Sequence, residues 1–245
     1  MQVTITALLV LTAAAAYSQS PAFEVATVKV NPSGDNGAGF PGVRNGILTA
    51  KNVSLRMMLR VAYSLDERRI FGPDYLDSTR FDLAGKSPQG VPDSDVDPML
   101  QSLLKERFHL AIHREMRELP VFDMVVAKSG LKMELSTAEK PFPKPPPIFT
   151  GNMNVGAGTM PEIAMRLTGA AGRPIVDKTG LEGRYGFLVI YMPLNFRTAD
   201  GNPPENPPPD YFTAIEQQLG LKLEPAKEPI EVLVVDHVDR VPTEN

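Results

Sequence analysis

A chain of 245 residues with a net charge of −4 and no cysteine has room for one large domain or two small ones. That charge gives no electrostatic basis for binding nucleic acid, whose partners carry a clustered basic face. The missing thiols exclude disulfides, thiolate metal centres and cysteine nucleophiles within these residues.

Met1 to Ser18 reads as a signal peptide. Its apolar run, Ala7 to Ala16, is shorter than the roughly 20 residues a membrane-spanning helix needs. Ala16 and Ser18 place small residues where signal peptidase reads them, with cleavage before Gln19. The segment before the apolar run carries no Lys or Arg, a departure from the usual pattern. The expectation is a secreted or periplasmic protein with no transmembrane segment in its mature form.

Phe23 to Val30 alternates apolar and polar residues, the period of a half-buried strand. Asn31 to Gly46 is rich in Gly, Asn and Pro and reads as a loop. Ile47 to Lys51 predicts a strand, and Ser54 caps a helix over Leu55 to Leu65. Asn52-Val53-Ser54 also matches a glycosylation sequon, but cap chemistry already accounts for the serine. Two short strands follow, the second entered through Arg80-Phe81 and ending near Gly85. After a Pro/Gly/Asp loop, Asp97-Pro98 opens a helix reaching Arg107. Phe108 to His113 and Pro120 to Ala127 then alternate with period two, and the charged stretch Glu115 to Glu118 between them reads as a hairpin tip.

Pro141 to Pro147 is a stiff extended loop. Asn152 to Ala157 reads as a strand, and Thr159 with Glu162 forms a capping-box spacing before a helix over Pro161 to Thr168. Arg173 to Met192 holds two strands around a Gly-containing turn, the second entered through Arg184-Tyr185. Asn195 to Pro209 is a second Pro-rich loop. Asp210 to Leu219 is a helix, and Leu221 to Leu223 with Ile230 to Val235 reads as a closing hairpin.

The order helix, strand, strand, helix, hairpin thus occurs twice. Leu59-Arg60-Val61 answers Met165-Arg166-Leu167, and Arg80-Phe81 answers Arg184-Tyr185. The fold class that follows is α+β, as two duplicated α/β halves over residues 19–128 and 129–245. Each half carries about two helices packed on a mainly antiparallel sheet, with long Pro/Gly-rich loops as joints.

Candidate chemistry is sparse. Asp177-Lys178-Thr179-Gly180 matches the phosphorylated motif of ion-pumping ATPases, but Leu181-Glu182-Gly183 follows where that motif continues Thr-Leu-Thr. A turn with Asp177 capping the reversal and Gly180 at positive φ suits these residues better. His109 and His113 would stand about 13 Å apart on a strand, too far for one ion, and His237 has no companion in the sequence. Asp93 to Asp97 imitates the start of a calcium loop, yet Pro98 and Leu104 occupy the positions of its Gly and Glu. No catalytic constellation, metal site or cofactor motif is expected. The binding candidates are Arg80, Arg184, Asp177 and Tyr185, placed at the two equivalent turns, where the arginines can either clamp an anion or tie down their own turn. Two dispersed carboxylates acting as acid and base leave no local signature, so a hydrolase stays open as the alternative.

Several blocks together resemble a known family: Phe23 to Lys29, Leu103 to Phe108 with His113-Arg114-Glu115, Val121 to Lys128, and Arg173 to Tyr185. They are similar to the uncharacterised secreted-protein family expanded in Solibacter and other Acidobacteria. The resemblance implies export and a domain of unknown function. In some relatives a similar domain is attached to a membrane metallopeptidase of the antibiotic-sensor type, which implies extracytoplasmic sensing or binding of an unknown protein or small-molecule ligand. No zinc-peptidase motif occurs in this chain, and the family supplies no catalytic residues to transfer. Gly186 follows Tyr185 where relatives often carry Asp.

Overall fold

A computed structural model describes residues 21–33, 39–92, 95–137, 143–144, 146, 151–193 and 207–243. The expected signal segment, most of Pro141 to Pro147, residues 195–206 of the second Pro-rich loop and the Asp93-Ser94 pair lie outside the described residues.

The fold is α+β. Four strands, β1 (Val25–Val30), β2 (Gly39–Arg44), β3 (Ile47–Ser54) and β5 (Arg80–Lys86), form an antiparallel sheet in the order β1-β5-β3-β2. The stretch read as one long loop therefore contains β2. Its register slips between Gly39 and Gly42, an irregularity that hides period two from the sequence. Helix α1 (Leu55–Ala62) starts where Ser54 Oγ accepts the Met57 amide at 3.2 Å, the cap its sequence predicts. Asn52, at φ 51° in a bulge of β3, is 5 % exposed, so the sequon is closed off in the fold. Helix α2 (Val96–Phe108) packs with α1, and Phe81 meets Phe108 edge to face at 5.2 Å.

A second sheet joins β7 (Glu134–Leu135), β10 (Tyr185–Tyr191) and β8 (Asn152–Gly158) in the order β7-β10-β8. Helix α3 (Met160–Ala171) begins with the expected capping box, Thr159 with Glu162. Helix α4 (Tyr211–Ala214) continues as a π turn over Ile215–Leu219.

The third sheet connects these two units. Its centre is a long antiparallel ladder between β6 (Ala111–Val126) and β11 (Leu221–His237), flanked by β4 (Ile70–Phe71) and β9 (Ile175–Asp177) in the order β4-β11-β6-β9. Both predicted hairpins are absent: each is one continuous strand, and the two strands pair with each other. Prolines explain the misreading. Phe122 N–H donates to the Pro174 carbonyl and Lys178 N–H to the Met124 carbonyl, both at 2.9 Å. Even-numbered residues here therefore turn their backbone toward β9, and odd-numbered ones toward β11. Pro120 thus points its ring nitrogen away from the ladder. The same parity holds for Pro225 and Pro229, which face Phe122 and Glu118 in register. All three prolines occupy positions where no ladder donor is lost, so the strands run through them.

Two hydrophobic cores lie at the ends of this ladder. One gathers α1, α2 and the first sheet and includes Leu233, Val235 and Val238. The other gathers α3, α4 and the second sheet and includes Phe122 and Met124. The end of β6 thus enters the core that follows it in sequence, and the end of β11 returns to the core that precedes it. The short parallel strands are exchanged likewise: β4 pairs with β11, and β9 with β6.

Candidate functional site

Where α3, β9 and the middle of the ladder meet, they leave a groove of about 600 Å³. One wall is the α3 face of Pro161, Ala164, Met165 and Thr168, residues that line up at i, i+3, i+4 and i+7. Met116 on β6, Pro229, Ile230 and Glu231 on β11, residues 174–177 around β9, and Asp66 and Arg69 also line it. Ala164 and Thr168 are buried, whereas Met116 and Met165 are 62 % and 46 % exposed. Two large flexible apolar side chains at such exposure leave apolar area in water unless something covers it.

The polar rim is tied into the fold. Glu162 Oε2 accepts the Thr159 amide at 2.9 Å and Arg184 Nη1 at 3.0 Å. The amide bond first, and the guanidinium charge with it, hold the Glu162 carboxyl below its ordinary range. Asp66 pairs with Arg68 at 3.1 Å, and Glu231 pairs with Arg114. Arg69 donates Nε to the Glu231 carbonyl at 2.9 Å, and burial lowers its pKa, partly offset by Glu231 and Asp66. Asp177 Oδ1 accepts both the amide (2.9 Å) and the hydroxyl (2.7 Å) of Thr179. The Asp-Lys-Thr-Gly stretch is accordingly a side-chain-capped turn, with Gly180 at φ 68° and Lys178 paired to Glu228 at 2.8 Å.

The four residues singled out from the sequence do not converge. Asp177 lines the groove. Arg184 reaches it only through Glu162. Tyr185 is 9 % exposed and packs in the second core. Arg80 begins β5 in the first sheet, with Nη1 3.8 Å from the Met57 sulfur. Asp177 is the one sequence candidate in the lining; Met116, Met165 and Arg69 are among the groove residues that sequence reasoning missed. One signal was present: Met116 is the apolar residue inside the charged run Arg114 to Glu118.

The histidines gather at the other end of the ladder. His109 is the C-cap of α2 at φ 48°, not a strand residue as its alternation suggests. His113 Nδ1 lies 2.8 Å from Asp236, and His109 and His237 lie 2.7 and 3.1 Å from opposite oxygens of Asp239. Among the described residues no group of three or more His, Asp or Glu side chains is arranged to hold a metal ion. At the acidic stretch, Asp95 is the N-cap of α2 and Asp97 accepts the Ser64 hydroxyl at 2.7 Å.

The profile of a family described as a protein of unknown function, DUF3738, matches residues 56–238. The chain belongs to the DUF3738 family. The DUF3738 match opens inside α1 and closes just past β11, so it spans the ladder, both exchanged strand ends and every residue of the groove. No curated protein and no solved structure matches the chain. Among the described residues no helix is long and apolar enough to cross a membrane.

Proposed function

We propose that this chain is an exported, non-enzymatic binding or interaction module, serving in extracytoplasmic sensing, and that its ligand-facing surface is the groove between α3, β9 and the ladder. The observation that carries the reading is the pair Met116 and Met165, facing one groove and left uncovered while the charged rim around them is already paired. The internal duplication belongs to the same proposal. The order β3-α1-β4-β5-α2-β6 followed by β8-α3-β9-β10-α4-β11, together with the reciprocal docking of β4 and β9, supports it. Export is supported by the short apolar run before Ala16 and Ser18. Sequencing the amino terminus of the protein recovered from the cell envelope should read from Gln19, and an intact Met1 there would refute export with cleavage.

The binding surface is tested by capture from envelope extract with wild-type protein and with Met165→Lys, compared by quantitative mass spectrometry. A partner retained by the wild type and depleted with the variant is expected. Identical recovery of every protein by both rejects the groove.

A hydrolase remains the second reading because four carboxylates, those of Asp66, Glu162, Asp177 and Glu231, line the same groove. None of the four is buried. Glu162, held low, is poorly suited to donating a proton at neutral pH. Turnover of a peptide or glycan substrate that disappears in Asp177→Asn and Glu162→Gln would favour this reading over the first.

A further inference from the structure

We propose that Met116 and Met165 form an oxidation site that switches the groove off. A peroxide converts both thioethers to sulfoxides, and the groove loses its apolar character while the fold stays intact. This rests on the groove being the ligand-facing surface and adds how that surface is regulated.

Composition and burial supply the first ground. The chain has 11 methionines, no cysteine and no tryptophan, so thioether sulfur is its most easily oxidised group. Burial then sorts the methionines. Met58, Met99, Met124 and Met160 are at most 1 % exposed, and Met57, Met133, Met153 and Met192 are half-buried. The Met57 sulfur also receives Arg80 Nη1 at 3.8 Å. Among the described methionines only Met116 and Met165 stand open to solvent, and both border the same groove. One comes from β6 and the other from α3, so the fold itself brings the two reactive sulfurs to one surface.

The consequence of the added oxygen supplies the second. A thioether sulfur attacks one peroxide oxygen, the S–O bond forms and the O–O bond breaks. The other oxygen leaves with the protons as water, so sulfur is oxidised by two electrons and the peroxide is reduced. The product is a polar, chiral side chain in place of a flexible apolar one. Inside the protein this would disrupt packing, since Met58 belongs to the first core and Met124 and Met160 to the second. At Met116 and Met165 the oxygen projects into water, and the buried Ala164 and Thr168 beside them keep their contacts. What disappears is the adaptable apolar contact that the pair offers. Methionine sulfoxide reductases, one for each epimer, return the thioether and make the change reversible.

The test treats the full chain with hydrogen peroxide and follows each methionine by peptide mass spectrometry. Met116 and Met165 should oxidise about tenfold or more faster than Met58, Met99, Met124 and Met160, before circular dichroism changes. The neutral dye Nile red reports on the apolar surface. Its fluorescence with the untreated protein should fall about threefold or more on oxidation and return after treatment with both reductases. Met116→Leu combined with Met165→Leu substitutes side chains of similar volume that peroxide does not attack. Compared with its own untreated state, that variant should lose no dye fluorescence to peroxide. Buried methionines that keep pace, dye fluorescence that peroxide leaves unchanged, an equal loss in the leucine variant, or no dye enhancement before treatment overturns the proposal. Should Met165→Lys still lose a partner in envelope capture under any of those results, the groove stands as the binding surface and only its control by oxidation is rejected.

Discussion

Gly220 shows how far one residue controls the second core. It ends the π turn after α4 at φ 67°, and a Cβ there would run into the carbonyl oxygen of Gly130. Left-handed backbone costs an ordinary residue about 1–2 kcal/mol before any overlap is counted. Gly220→Ala should therefore lower unfolding free energy by at least about 2 kcal/mol in urea titrations. At Glu162 the expected loss is smaller. Replacing it by Ala removes half of the capping box and should cost about 1 kcal/mol. His113 gives a pH dependence whose sign is set by its partner. The hydrogen bond with Asp236 raises the His113 pKa above its ordinary 6.5. Its contribution to stability is thus complete below 6.5 and is lost as pH rises through the higher folded value. The melting temperature of wild type should exceed that of His113→Gln by more near pH 6 than near pH 9, both flanking that window approximately; a gap that widens with pH contradicts the assignment.

Elements differed in how legibly the sequence encodes them. The starts of α1 and α3 were readable because caps are local: Ser54 and Thr159 with Glu162 act within a few residues, and each does in the fold what its spacing announces. Helix α2 instead begins at Val96, with Asp95 as its N-cap and the expected cap Asp97 inside its first turn. The ladder was not readable, because a proline within a strand is ambiguous until the direction of its ring nitrogen is known, and that depends on a partner about a hundred residues away. The groove shared this difficulty. Asp177 and Arg184 drew attention as residues of a turn, whereas Met116 and Met165 acquire meaning only once β6 and α3 lie side by side. The parity rule can be checked directly. Ala226 faces Val121 at a position where the amide points into the ladder, and Lys227 faces outward opposite Pro120. Ala226→Pro should cost about 3 kcal/mol or more, while Lys227→Pro should be nearly neutral in the same chemical denaturation experiment.

At the scale of the whole molecule, the exchanged strand ends make the two cores interdependent. Leu233, Val235 and Val238 are buried among side chains of α1 and α2, and Tyr75 donates its hydroxyl to the Val238 carbonyl at 2.8 Å. Phe122 and Met124 complete the core of α3 and α4. Unfolding should accordingly be a single transition, with far-ultraviolet and near-ultraviolet circular dichroism tracing one curve. Two separated transitions would mean that the ladder does not couple the cores. The same exchange has a bearing on biosynthesis. A ribosome making this chain releases α1 and α2 long before it reaches Leu233, so the amino-terminal core has to wait, unfinished, for the final strand. Under the export proposed above, a last-made segment that completes the first-made core postpones compaction until synthesis is nearly over, which suits threading through a translocon in an unfolded form.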